Sequence, residues 1–140
     1  MKTATTLKKI TTSALIAIAL VTGAAYPAAA GGSIAITLEA QDEEQEKAIK
    51  GGLLIYSIAK GIKSGGGIFQ NGNGNAAGVA QNGAGNFGVV HQEGDDHNGT
   101  LQQNGNGNTH GVFQFGEGSD AHVNQNGDGN TGVTFGFGWN

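Results

Sequence analysis

Glutamine recurs every eleven residues through the second half of the chain, as Gln70, Gln81, Gln92, Gln103, Gln114 and Gln125. Two residues after each stands a glycine: Gly72, Gly83, Gly94, Gly105, Gly116 and Gly127. Five residues after each Gln comes Asn75, Asn86, His97, Asn108, Ser119 or Asn130, and nine after comes Val79, Val90, Leu101, Val112, Val123 or Thr134. Six units in one register are not chance, and an internal repeat governs the fold open to a chain. Each unit divides into seven residues and four. The seven, as in Asn75-x-Ala77-x-Val79-x-Gln81, alternate with period two and predict a strand. The four, as in Asn82-Gly83-Ala84-Gly85, are turn formers that tolerate positive φ. Strand, turn, strand and turn make a 22-residue rung, and such rungs stack at about 4.8 Å. The expectation is an all-β solenoid of about three and a half rungs over 64–140: 64–81, 86–103, 108–125 and a half-rung from Asn130.

In such a rung an Asn, a small residue, an aliphatic residue and a Gln point inward. Buried polar side chains need partners. A carboxamide donates and accepts at once, so stacked copies can bond to those above and below. The predicted ladder positions are Ser64, Gln70, Asn75, Gln81, Asn86, Gln92, Gln103, Asn108, Gln114, Ser119, Gln125 and Asn130. These ladders satisfy themselves only while rungs continue. No Lys, Arg or Pro follows Lys63 to blunt the end strands. A chain that adds to itself is therefore expected. The alternatives are a capped monomeric solenoid and a disordered Gly/Asn-rich tail. Disorder does not require Gln and Val locked to one period.

The preceding residues have another character. Lys2, Lys8 and Lys9, the apolar run Ala14 to Val21, Pro27 and then Ala28-Ala29-Ala30 read as a secretory signal peptide over 1–30, rather than a retained anchor. Segment 31–63 is an N-terminal leader. Ile34, Ile36 and Leu38 alternate, a weak strand signal. Asp42 offers an N-cap with Gln45 three residues on. Glu43, Glu44 and Glu46 suit a first helical turn, and Lys60 and Lys63 a last one. Ile49, Leu53 and Tyr56 have helical spacing. Gly51-Gly52 interrupts the pattern and Gly65-Gly66-Gly67 ends it. The segment reads as an amphipathic helix docking on a partner or membrane, a helix covering the protein's own apolar face, or a mobile leader.

Several function classes are excluded. There is no cysteine, so no disulfide framework and no thiol nucleophile. Beyond residue 30, four lysines face eleven acids, a poor balance for binding nucleic acid. His91, His97, His110 and His122 form no HExxH and no helical metal pair. By column, His97 and His110 point inward, and His91 and His122 outward. Gly72-x-Gly74 precedes no helix that could bind phosphate. Ser64 and Ser119 lack a G-x-S-x-G context. Neither an enzyme nor a cofactor is expected.

The outward residues differ by face. Ala76, Ala80, Asn98, Thr100, Gln102, Asp120, His122 and Asn124 lie on a mostly polar one. Phe69, His91, Phe113 and Phe135 recur at 22-residue spacing on the other, flanked by Phe87, Val89 and Val133. Stacked aromatics there predict a face for lateral fibre contacts, carried by Phe69, Phe87, Phe113 and Phe135, or a dock for 31–63. Asp95 and Glu117 share a turn column and repel when stacked, a brake on assembly that acid or a divalent cation would relieve.

The first rung, Ser64-x5-Gln70-x-Gly72-x2-Asn75-x-Ala77-x-Val79-x-Gln81, resembles the curlin repeat S-x5-Q-x-G-x2-N-x-A-x-V-x-Q at every fixed position. That is the repeat of curli subunits, bacterial extracellular functional amyloids. Later rungs drift: Asn86, Asn108 and Asn130 replace the Ser, His97 and Ser119 replace the Asn, Gly99 replaces the Ala, and Gly136 replaces the last Gln. The resemblance covers 64–138, and segment 31–63 lies outside it. It implies passage through an outer-membrane export pore to a cell-surface fimbrium. It also implies homopolymer growth templated with a second curlin-like subunit, and a part in adhesion and biofilm. A minor nucleating or capping subunit is the nearest alternative. A monomeric solenoid binding a surface such as ice is another, although only Thr109 and Thr131 align as an outward Thr column.

Overall fold

The computed structural model describes residues 31–62 and 64–140; the predicted signal segment 1–30 and Lys63 lie outside the described residues. The elements are β1 (Gly32–Glu39), α1 (Glu43–Lys60), β2 (Gly66–Asn71), β3 (Ala76–Asn82), β4 (Phe87–Asp95), β5 (Asn98–Asn104), β6 (Thr109–Glu117), β7 (Asp120–Asn126) and β8 (Thr131–Trp139). From β2 onward, successive strands alternate between two sheets. One has five strands in the order β1-β8-β6-β4-β2, the other three in the order β3-β5-β7. Within the repeat all pairing is parallel at an offset of 22 residues, so Gln70 lies beside Gln92 and Gln81 beside Gln103. This is the expected β-solenoid, about three rungs and a terminal half.

The turns show why glycine keeps its register. Gly83 and Gly105 adopt φ of 113° and 120°. A Cβ on Gly83 would collide with the carbonyl oxygen of Gly105 one rung on, and a Cβ on Gly105 with that of Gly127. Any side chain there would break both the local conformation and the stack. One turn departs from this chemistry: Asp96 holds φ 56° in the column where Gly74 and Gly118 hold 69° and 68°.

The core between the sheets is narrow. Val90, Leu101, Val112 and Ala121 are buried, with Ala77, Val79 and Val123 packed against them. Burial of each Val or Leu contributes about 1.5–3 kcal/mol. The period of two within the seven-residue segment is visible in β5, where burial alternates strictly from Asn98 to Gln103.

Segment 31–62 is ordered as a strand and a helix. β1 runs antiparallel along β8, the last strand of the repeat, in register from Gly32 opposite Trp139 to Glu39 opposite Gly132. Its alternation is the expected one: Ile34, Ile36 and Leu38 are half-buried beside Phe137, Phe135 and Val133, while Ser33, Ala35 and Thr37 are exposed. Asp42 caps α1 and accepts from the Gln45 N–H at 2.9 Å. Gln45 Oε1 accepts from the Gln41 N–H at 2.9 Å, one residue before the cap. The helix runs through Gly51-Gly52, although they interrupt its apolar pattern. One expectation needs correction: the helix ends earlier than Gly65-Gly66-Gly67. Gly61, at φ 67°, donates to the Ile58 carbonyl, and Ile62 donates back to Ser57, closing the last turn as left-handed glycine caps do.

Candidate self-association surface

The glutamine ladders form as expected. Gln70 Nε2 donates to Gln92 Oε1 at 2.8 Å, and Gln92 Nε2 to Gln114 Oε1 at 2.9 Å. Across the core, Gln81 Nε2 donates to Gln103 Oε1 at 2.9 Å, and Gln103 Nε2 to Gln125 Oε1 at 2.8 Å. In the inner rungs the second N–H crosses to the facing sheet: Gln92 to the Ala76 carbonyl at 2.8 Å and Gln103 to that of Phe87 at 3.0 Å. A carbonyl only accepts, so that contact sets the orientation of each amide. Every ladder therefore runs in one sense, oxygen toward the first rung and nitrogen toward the last. Gln114 ends its column, which continues in Gly136, and donates instead to the Ser119 carbonyl at 2.7 Å.

The asparagines stack differently from the prediction. Asn75, Asn86 and Asn108 bond mainly to backbone of the next rung rather than to each other. Asn86 Oδ1 accepts from the Asn108 N–H at 2.9 Å, and its Nδ2 donates to the Gly105 carbonyl at 2.8 Å. Asn75 and Asn108 repeat the pattern, and Asn130 alone adds an amide contact, to Asn108 Oδ1 at 3.1 Å. The reason is position: this column sits at a turn, where backbone groups lack sheet partners. His97 performs the same task. Its Nδ1 accepts from the Ser119 N–H at 3.2 Å, so Nε2 carries the proton and donates to the Glu93 carbonyl at 3.2 Å. Ser119 is buried, whereas Ser64, predicted to open the column of Asn86, Asn108 and Asn130, is exposed in the turn before β2. Asp95, expected to repel its register partner Glu117, accepts from the Asn73 N–H at 2.7 Å. Asp128 takes the Asn106 N–H at 2.6 Å. Both carboxylates hold successive rungs together.

The two ends differ. At the first rung Gln70 and Gln81 are exposed, the outer edges of β2 and β3 are unpaired, and among the described residues no donor meets either Oε1. At the other end Gln125, Ala121 and Thr134 are buried, 3%, 2% and 1% exposed, with β8 and β1 drawn close to β7. Thr37 Oγ1 lies 2.8 Å from Thr134 Oγ1, which lies 2.9 Å from Nε2 of the buried His110. His110 Nδ1 is buried with no partner, and burial pushes the imidazole down to about 4. His110 fits because its register neighbour is Gly132, where a Cβ would lie 2.8 Å from the imidazole ring.

The aromatic column exists, and α1 covers it. Tyr56 packs edge-on against Phe69, His91 and Phe113, with ring centroids 6.3, 5.7 and 5.2 Å away. Its hydroxyl is 2.6 Å from His91 Nδ1. Burial, and then the charge of Glu93, push that hydroxyl up to about 12. Phe113 stacks on Phe135 at 5.6 Å. Leu53 and Val89 are buried beneath the helix, and Phe87 lines the groove beside it with Lys50, Leu53 and Ile62. Of the two readings of this face, the described residues show docking of the leader, through Tyr56 of α1. A second stack, Phe115 on Phe137 at 5.9 Å, escaped the sequence reading although its 22-residue spacing was legible. His97 and His110 point inward, His122 outward, and among the described residues no three His, Asp or Glu side chains gather as a metal site.

No known protein family, no curated protein and no solved structure matches this chain.

Proposed function

We propose that this chain is a secreted structural subunit, similar to the curli subunits, that assembles into an extracellular amyloid fibre by strand addition. The observation that carries the reading is the open first rung. Four parallel strands of one sheet and three of the other hold a single 22-residue register, and at β2 and β3 that register stops with edges and amide oxygens exposed. A strand bearing the same columns supplies what is missing: ladder hydrogen bonds, Gln donors and an apolar layer over Val79. The partners in this reading are further copies, a second curlin-like subunit and an outer-membrane export pore. Adhesion and biofilm are its setting.

A second reading has its own support. The closed end at β8 suits a minor subunit that nucleates growth from, or caps, fibres of another protein. Purified 31–140 separates the two. Fibres with a lag removed by seeds, and reflections near about 4.7 and 10 Å, are expected of the main subunit. A chain that stays soluble yet changes the growth of a related fibre at substoichiometric amounts supports the minor role. A β-rich monomer indifferent to both defeats the proposal.

A further inference from the structure

The leader occupies two surfaces that the repeat would offer to another chain. β1 takes the edge of β8, and does so antiparallel, the one antiparallel pair in a sheet otherwise parallel. α1 lies over the aromatic column, where Tyr56 touches Phe69, His91 and Phe113. Both contacts come from one continuous segment, 31–62, which lies outside the repeat. The edge beneath β1 carries the repeat's own columns: Phe135 continues Phe69, His91 and Phe113, and Thr134 continues Ile68, Val90 and Val112.

The geometry points to β8 as the docking edge for the β2 strand of a second copy of this chain, with segment 31–62 as an intramolecular strap that holds the edge closed. This rests on the self-assembly reading above and adds its regulation. β1 and an incoming β2 compete for the same backbone groups of β8, so both cannot bind. With the strap in place, the first rung offers the edges of both β2 and β3, whereas the last rung offers only that of β7. When the strap lifts, β8 accepts a parallel strand whose Phe69 stacks on Phe135, extending the aromatic column across the junction. As an edge strand β1 is paired with β8 alone, which fits a strand held along one side only and able to leave.

The test locks the strap. Thr37 and Thr134 face each other in register, and the chain contains no cysteine. Thr37→Cys with Thr134→Cys therefore allows a single, reversible disulfide across β1 and β8. The double variant is added to wild-type seeds in oxidised and in reduced form, so one sequence serves as its own control. Elongation at least tenfold slower when oxidised, restored by reductant, is the expected result. Equal elongation in both states, with fibres forming, overturns the strap and leaves the self-assembly reading standing. No fibre in either state or from wild-type protein, seeded or not, overturns that reading and the strap with it. Should the double variant misfold, Tyr56→Ala decides: a shortened lag is expected, and an unchanged lag overturns the strap.

Discussion

At Gln103 three hydrogen bonds meet without solvent: Gln81 donates to its oxygen, and its nitrogen donates to Gln125 and to the Phe87 carbonyl. Gln103→Leu keeps the volume and leaves those partners unpaired. The expected loss is about 2–4 kcal/mol in urea unfolding, whereas the same change at the exposed neighbour Gln102 stays within about 0.5 kcal/mol. Asp96 predicts a gain. It holds a left-handed conformation that Gly74 and Gly118 hold in the same column, so Asp96→Gly is expected to raise stability by about 0.5–1 kcal/mol. His110 sets a pH dependence. Its imidazole titrates near 4 in the folded chain, against roughly 6.5 unfolded. The unfolded chain binds the extra proton between those values, so stability is lost as pH falls through that window, by about 3 kcal/mol in full. Unfolding of wild type against His110→Gln from pH 7 to 4 should show that difference, flat above about pH 7.

At the scale of elements, α1 is held less by its own composition than by what it covers. Leu54, Ile55 and Ile58 remain exposed, so its apolar residues exceed one face. Leu53 and Tyr56 are the contacts that count. The N-cap is the local part: Asp42→Ala is expected to cost the helix about 1 kcal/mol, read as a loss of helical signal with the strand signal intact. The strands answer to a different rule. Each short strand gains its partners only from copies 22 residues away, and so forms through the stack rather than through its own propensity.

For the whole molecule the important property is the inequality of its ends. Amides in both Gln columns point the same way, and the first rung leaves the edges of both β2 and β3 unpaired while at the last rung β1 covers β8 and leaves only β7 unpaired. A fibre built from such units has a direction. Seeds labelled in one colour and extended in another, followed by single-fibre imaging, are expected to lengthen from one end; equal growth at both ends would contradict that polarity. Acid acts on this scale through His110. It disfavours the packing of the last rung around the buried imidazole.

The sequence by itself determined the solenoid, because a period of eleven with Gln, Gly, Asn and Val in constant phase leaves one stacking arrangement that satisfies the amides. It also predicted β1 and the capped start of α1, since alternation and Asp42 with Gln45 are local signals. It did not carry the partners of the Asn column, which depend on where the turn leaves backbone groups unpaired. Nor did it carry the placement of 31–62. Ile34, Ile36 and Leu38 mark a strand, but nothing local says that β8 is its neighbour or that Tyr56 meets His91. Those pairings join residues far apart in the chain, and only the tertiary structure, by choosing which apolar face to cover and which edge to fill, decided them.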